Sequence, residues 1–151
     1  MSNSRPLIVA YDFDDTTCAT PIDQDIYPLC PEVEIPHAIE TIHWLQEEPR
    51  VFTLLFTCRE GEALLNALSW LHQRGCHPDC VNQDANLDGW PHGKPRKPFY
   101  DIIIDDKNCG ESSPPDWLRL RRHVMEKLES GIYVPHSFTI ALREEDQHLL
   151  G

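Results

Sequence analysis

The sequence predicts an α/β fold with a mainly parallel sheet, and three observations carry that expectation. Apolar runs of strand length, at 7–12, 51–56 and 102–104, alternate with stretches of helical period. The first and last runs stop on carboxylates: Asp12, Asp14 and Asp15 after one, Asp105 and Asp106 after the other. In open α/β sheets, sites form just beyond the carboxyl ends of the strands.

The elements follow in order. Strand one is expected at 7–12. Residues 15–35 carry Pro21, Pro28 and Pro31 and read as a loop or flap. Pro36 is expected in the first turn of a helix, where a missing N–H is harmless. Ile39, Ile42 and Leu45 give that helix its period to about Glu48, and Pro49 stops it. Residues 51–56 are almost all apolar, as in a strand buried on both faces. After Thr57-Cys58-Arg59-Glu60-Gly61 a helix runs to about Arg74, with Leu64, Leu65, Leu68 and Leu71 as its expected inner stripe and Gly75 as terminator. Residues 79–82 form a short third strand. The polar stretch 83–98 is a long loop, and long loops in compact domains are often functional. The strand at 101–105 follows. Ser113-Pro114-Pro115-Asp116 predicts a helix start with Ser113 as cap, and Gly131 ends that helix. Leu118, Val124, Met125 and Leu128 are its expected inner face. Residues 137–142 read as a last edge strand, and 143–151 as a polar tail.

At 151 residues the chain is expected to form one domain with a core of its own. Its 13 basic and 25 acidic residues give a net charge of −12, which argues against unspecific binding to nucleic acid or anionic membrane. A small phosphorylated ligand held by a few local Lys and Arg stays open. No apolar run reaches transmembrane length and the first residues lack a signal core, so the cytoplasm is the expected compartment. The six cysteines are then expected to be free thiols. Cys76-His77 with Cys80 has some zinc character but lacks a second pair at finger spacing.

The candidate site is built from the two acidic strand ends. Asp12 and Asp14 are two apart, so on an extended chain they start out facing the same way. Like charges that close repel unless a cation lies between them, and hard oxygen ligands suit Mg²⁺. If the two strands are parallel neighbours, four or five carboxylates surround one point. The alternative reading of Asp12, Asp14 and Thr16 as a calcium loop fails, because that loop needs Gly where Thr17 stands and a helix before it.

With these residues in view, the sequence resembles the haloacid dehalogenase superfamily of phosphohydrolases. Asp12-Phe13-Asp14-Asp15-Thr16 resembles the family's first motif, and Thr57 after its strand the second. Lys97, with Lys94 behind it, resembles the third, and Asp105-Asp106 the fourth. A closer likeness is to small capless bacterial and phage members, through Tyr27-Pro28, Thr57-Cys58-Arg59, Asp79-Cys80-Val81-Asn82 and Lys97-Pro98. Two positions depart from the pattern: Asp15 stands where Gly is usual and Thr17 where Leu or Ile is usual.

The resemblance implies a Rossmann-like three-layer α/β/α sandwich without a large cap domain, and a Mg²⁺-dependent phosphatase acting on a small phosphorylated metabolite or nucleotide. It implies that Asp12 attacks phosphorus, that Asp14 acts as acid and then base, that Thr57 binds a phosphate oxygen and that Lys97 offsets charge. Asp12, the Asp14 carbonyl, Asp105 and Asp106 are the implied metal ligands, with Asp105 in direct contact. Thr16 and Arg59 are candidate substrate-binding residues; for Arg59 a surface ion pair with Glu60 or Glu62 is the alternative. Trp90 and His92 could touch substrate from the long loop, whereas His43 and His72 read as structural. Oligomeric state stays open, a homo-oligomer included. Two other functions compete: a receiver-like signalling domain, whose Lys-Pro would follow the last core strand rather than precede it, and a non-catalytic metal- or phosphate-binding protein on the same fold.

Overall fold

A computed structural model describes residues 5–20, 33–83, 98–110 and 112–136. Its elements are β1 (Leu7–Tyr11), α1 (Ala38–Glu47), β2 (Val51–Leu55), α2 (Gly61–Gln73), β3 (Cys80–Val81), β4 (Ile102–Ile104) and α3 (Trp117–Ser130). The four strands form one sheet in the order β3-β2-β1-β4, and all three pairings are parallel. The fold is thus α/β of the Rossmann-like kind. The expected strand at 137–142 and the loop at 84–97 lie outside the described residues.

Every residue of β1 and β2 is buried, as their unbroken apolar runs require in a central parallel pair. Alternation divides them between two faces. Leu7, Val9, Tyr11, Val51 and Leu55 share one cluster with the buried residues of α1, α2 and α3. Ile8, Ala10, Phe52 and Leu54 pack on the other face with Phe56, Phe99, Tyr100 and Ile103. Among the described residues, then, all three helices cover one face of the sheet.

Two aspartates fix the register of the short strands. The Asp101 carboxylate accepts from the Ile8 amide at 2.8 Å and pairs with both arms of Arg5 at 2.6 and 2.7 Å. The Asp79 carboxylate accepts from the Thr53 amide at 2.8 Å. In each case the aspartate's own amide donates back to the neighbouring strand. A three-residue and a two-residue strand have few ladder bonds, so these side chains do much of the anchoring. The resulting pairing sets Tyr11 against Ile104, and the next residues on the two strands are Asp12 and Asp105.

Several helix details differ from the sequence reading. α1 begins at Ala38 rather than Pro36, because His37 precedes it with φ 65°. In α2 Ala67, Trp70 and Leu71 are buried and Leu64 and Leu68 pack half-buried against the same core, so of the expected stripe only Leu65 turns outward, at 66% exposed. α3 is capped by Asp116, whose carboxylate accepts from the Arg119 amide at 3.0 Å, and not by Ser113. The two prolines between them delay the helix, and its phase moves with its start. Trp117, Leu120, Val124 and Leu128 face the core, while Leu118 and Met125 are exposed. Gly75 ends α2 as expected, at φ 74°.

Candidate active site

The parallel register brings two acidic strand ends together. One carboxylate oxygen from each of Asp12, Asp105 and Asp106 lies within 4.8 Å of the others, and among the described residues this is the one such cluster of three. Asp12 is fixed by its amide, which donates to the Ile104 carbonyl at 3.1 Å, and by its carbonyl, which accepts from the Thr17 hydroxyl at 2.7 Å. Burial, and then the charges of Asp105, Asp106 and Asp14, push the Asp12 carboxyl up to about 8, against a partial offset from the Phe13 amide. Asp106 is raised too, by burial first and by its hydrogen bond with Asp105. The donors are all carboxylate oxygens, hard ligands that fit Mg²⁺ and do not favour a thiophilic metal.

Thr16, a candidate for substrate binding, is turned toward the loop after β4. It is fully buried, its hydroxyl accepts from the Asp106 amide at 2.9 Å, and it lies 3.3 Å from the Asp106 carboxylate. It joins the loop after β1 to the loop after β4. Trp117 reinforces that joint: its indole N–H donates to the Thr16 carbonyl at 2.7 Å, and its ring meets Tyr11 edge-on at 5.9 Å.

The Asp14 carboxylate stands apart from the cluster of three. Both its oxygens are held by Arg59, at 2.9 and 2.7 Å, and the Thr20 hydroxyl donates to it at 2.7 Å. Arg59 is fully buried, its guanidinium lies 5.0 Å from the Phe13 ring, and it donates to the Ala63 carbonyl. This corrects the surface alternative for Arg59: it is no surface partner of Glu60 or Glu62, and its guanidinium is paired with Asp14. A two-pronged ion pair under a phenyl ring explains how a full charge can be buried here.

Thr57 follows β2 by two residues, at the same end of the sheet. Asn82 clamps it, accepting from the Thr57 amide at 2.8 Å and donating to its carbonyl at 2.7 Å. The Thr57 hydroxyl accepts from the Arg59 amide at 3.1 Å, which leaves its own proton for another acceptor. Lys97, Lys94, Trp90 and His92 lie outside the described residues.

Both departures from the motif pattern have a structural basis. Asp15 has φ 59°, in the left-handed region where Gly is easiest and Asp is among the better substitutes. Its carboxylate then accepts from the Thr20 amide at 2.9 Å. Thr17 is buried, and its hydroxyl makes the bond to the Asp12 carbonyl already described. Sequence reasoning missed the parts played by Thr17, Thr20, Asn82 and Trp117. The Asp-x-Val-Asn run pointed to Asn82 without saying what it holds; nothing local pointed to Trp117.

The Cys76, His77 and Cys80 side chains form no metal cage. The Cys76 thiol is buried and directed at the Arg74 carbonyl, Cys80 at that of Gln83, and His77 pairs with His72. His43 is structural as expected, bonded to the Arg74 carbonyl at 2.6 Å. No disulfide involves Cys18, Cys58, Cys76, Cys80 or Cys109.

A solved structure of a conserved protein coded by a locus of Bacteroides thetaiotaomicron matches this chain at 35% identity with a TM-score of 0.64, over 82% of this chain and 93% of that one. The chain belongs to that protein's family. No family model matches the sequence, and no curated protein matches it. Among the described residues, no helix is long and apolar enough to cross a membrane.

Proposed function

We propose that this member of the family is a Mg²⁺-dependent phosphatase of the haloacid dehalogenase type, acting on a small phosphorylated metabolite or nucleotide through an aspartyl-phosphate on Asp12. The observation that carries the reading is the convergence of Asp12, Asp105 and Asp106 at the ends of two adjacent parallel strands. Three acids packed this closely have a use if a hard cation is to be held there. Asp12, Asp105 and Asp106 would hold Mg²⁺, which when bound offsets the repulsion between these carboxylates and a phosphate dianion.

The chain's own groups would then divide the work. An Asp12 oxygen forms a bond to phosphorus as the ester P–O bond breaks, giving an acyl phosphate and a leaving oxygen that needs a proton. Asp14 is the group two residues away that can carry that proton, and later take one from the water that hydrolyses the acyl phosphate. To reach either oxygen its side chain has to turn from Arg59 and Thr20. Thr57 has a hydroxyl proton for a phosphate oxygen, and Lys97 is the expected cation beside it.

That same Asp14–Arg59 pair favours the second reading, a non-catalytic metal- or phosphate-binding protein. A carboxylate spent on a buried guanidinium is a poor proton carrier unless it moves. Hydrolysis of an aryl phosphate with and without Mg²⁺, by wild type and Asp12→Asn, separates the two. Turnover that needs Mg²⁺ and disappears in the variant supports the phosphatase. Mg²⁺ binding without turnover across a panel of phosphomonoesters supports the binding protein.

A further inference from the structure

The far end of α2 carries two imidazoles that the phosphatase chemistry does not use. The helix closes on a left-handed residue. Gly75 has φ 74°, its amide donates to the His72 carbonyl at 2.9 Å, and the Cys76 amide donates to the Leu71 carbonyl at 2.9 Å. That pair of bonds folds the chain back across the helix end, so His77 returns beside His72 in the last turn. α1 then holds the returning backbone. His43 is bonded to the Arg74 carbonyl at 2.6 Å, the Gln46 side-chain amide donates to the Gly75 carbonyl at 3.0 Å, and the Gln46 side-chain oxygen accepts from the His77 amide. The place of His77 is therefore set by the fold itself.

No cage closes round Cys76, His77 and Cys80, yet His72 and His77 face each other through one nitrogen each. Their Nδ1 atoms are 3.3 Å apart, whereas the ring centroids are 4.7 Å apart and the ring planes inclined at 63°. The rings meet by their nitrogens and are not stacked. That separation is long for an N–H hydrogen bond, which usually ends at roughly 3.2 Å. It is the separation a shared metal imposes: two nitrogens, each about 2.05 Å from one tetrahedral zinc ion, lie about 3.3 Å apart. Both histidines are exposed, and a cleft of about 550 Å³ opens beside them, lined also by Ser69, Pro78 and Gln83. The cleft has room for the waters that would complete a coordination shell. The carbonyl end of a helix also favours a cation.

We propose that His72 and His77 form a second metal site, a two-imidazole chelate through Nδ1 of each ring for a borderline divalent transition metal such as Zn²⁺. Imidazole suits such ions and does not suit Mg²⁺, while the carboxylates of Asp12, Asp105 and Asp106 suit Mg²⁺, so one chain sorts two kinds of cation. α2 runs from the carboxyl end of β2 to the amino end of the parallel β3, which puts this site at the opposite end of the sheet from Asp12. Its role is structural: the metal ties the last turn of α2 to the segment that enters β3.

The test titrates Zn²⁺ into the full chain with Mg²⁺ in excess and follows the histidine ring nitrogens by NMR. The first equivalent should shift Nδ1 of both His72 and His77. The effect should vanish in His72→Ala and in His77→Ala, and persist in His123→Ala, which removes an exposed histidine on α3. All three positions are exposed, so the fold should persist, and circular dichroism checks that it does. The proposal is overturned if the first equivalent leaves both rings unchanged, as it would if thiols took the ion. It is overturned equally if one ring still responds after the other is replaced, or if Mg²⁺ competes for the same Zn²⁺ and so places it at the acidic cluster.

Discussion

Asp12 is the residue on which the chemistry turns, and its surroundings make a claim about stability. Its carboxyl is raised from an ordinary 3.8 to about 8 in the folded protein without metal. A raised acid binds a proton in the native state that the unfolded chain has already released. Its contribution is therefore fully present below the unfolded value and is lost as pH rises toward the folded one. The metal-free protein should become less stable between about pH 4 and pH 8. Urea midpoints in the presence of a chelator should show that slope, and Asp12→Asn should flatten it. Arg59 makes the opposite kind of residue-scale claim. Removing it leaves Asp14 without the charge that neutralises it, so Arg59→Met should cost on the order of 3–5 kcal/mol. A drop of less than about 1 kcal/mol would show the pair to be worth no more than a surface bridge.

At the scale of elements, the short strands are held by side chains rather than by ladder length. β3 has two residues, and Asn82 just beyond it clamps both backbone groups of Thr57. Asn82→Ala leaves those groups unpaired and should cost about 1–3 kcal/mol. If Thr57 binds phosphate as proposed, KM for an aryl phosphate should rise more than the stability loss explains. Much of this level was legible in the chain. The buried strands announced themselves as unbroken apolar runs, and the acidic residues after 7–11 and 102–104 announced the site. Helix phase was less legible, because it depends on where each helix starts. Asp116 and not Ser113 caps α3, so Leu118 and Met125 turned outward and Trp117 inward. The Asp14–Arg59 pair was not legible at all. It joins residues 45 apart, and nothing in Thr-Cys-Arg says which way the guanidinium will turn.

At the scale of the whole molecule, burial should govern the thiols. Cys58 and Cys109 are exposed, while Cys18 and Cys76 are buried. Burial pushes the Cys76 thiol up to about 12, so it is scarcely ionised at neutral pH. Brief alkylation of the native protein should label Cys58 and Cys109 and spare Cys18 and Cys76; mass spectrometry of the digest reads the result. A second whole-molecule expectation follows from the proposed metal. A ligand that binds only the folded state stabilises it by mass action, by about 2.7 kcal/mol at a hundred times its Kd. Mg²⁺ should raise the unfolding temperature of the wild type and do so much less for Asp105→Asn. The way the site is stitched across the chain bears on the order in which it can form. Thr16 meets Asp106 across 90 positions and Trp117 across 101. Closing so long a stretch is entropically costly and slow. A polypeptide emerging amino end first can lay down β1, α1 and β2 early, yet its acidic centre stays unformed until α3 is made. Translation intermediates that stop short of Trp117 should therefore be inert toward divalent ions, and the chemistry should switch on late in synthesis.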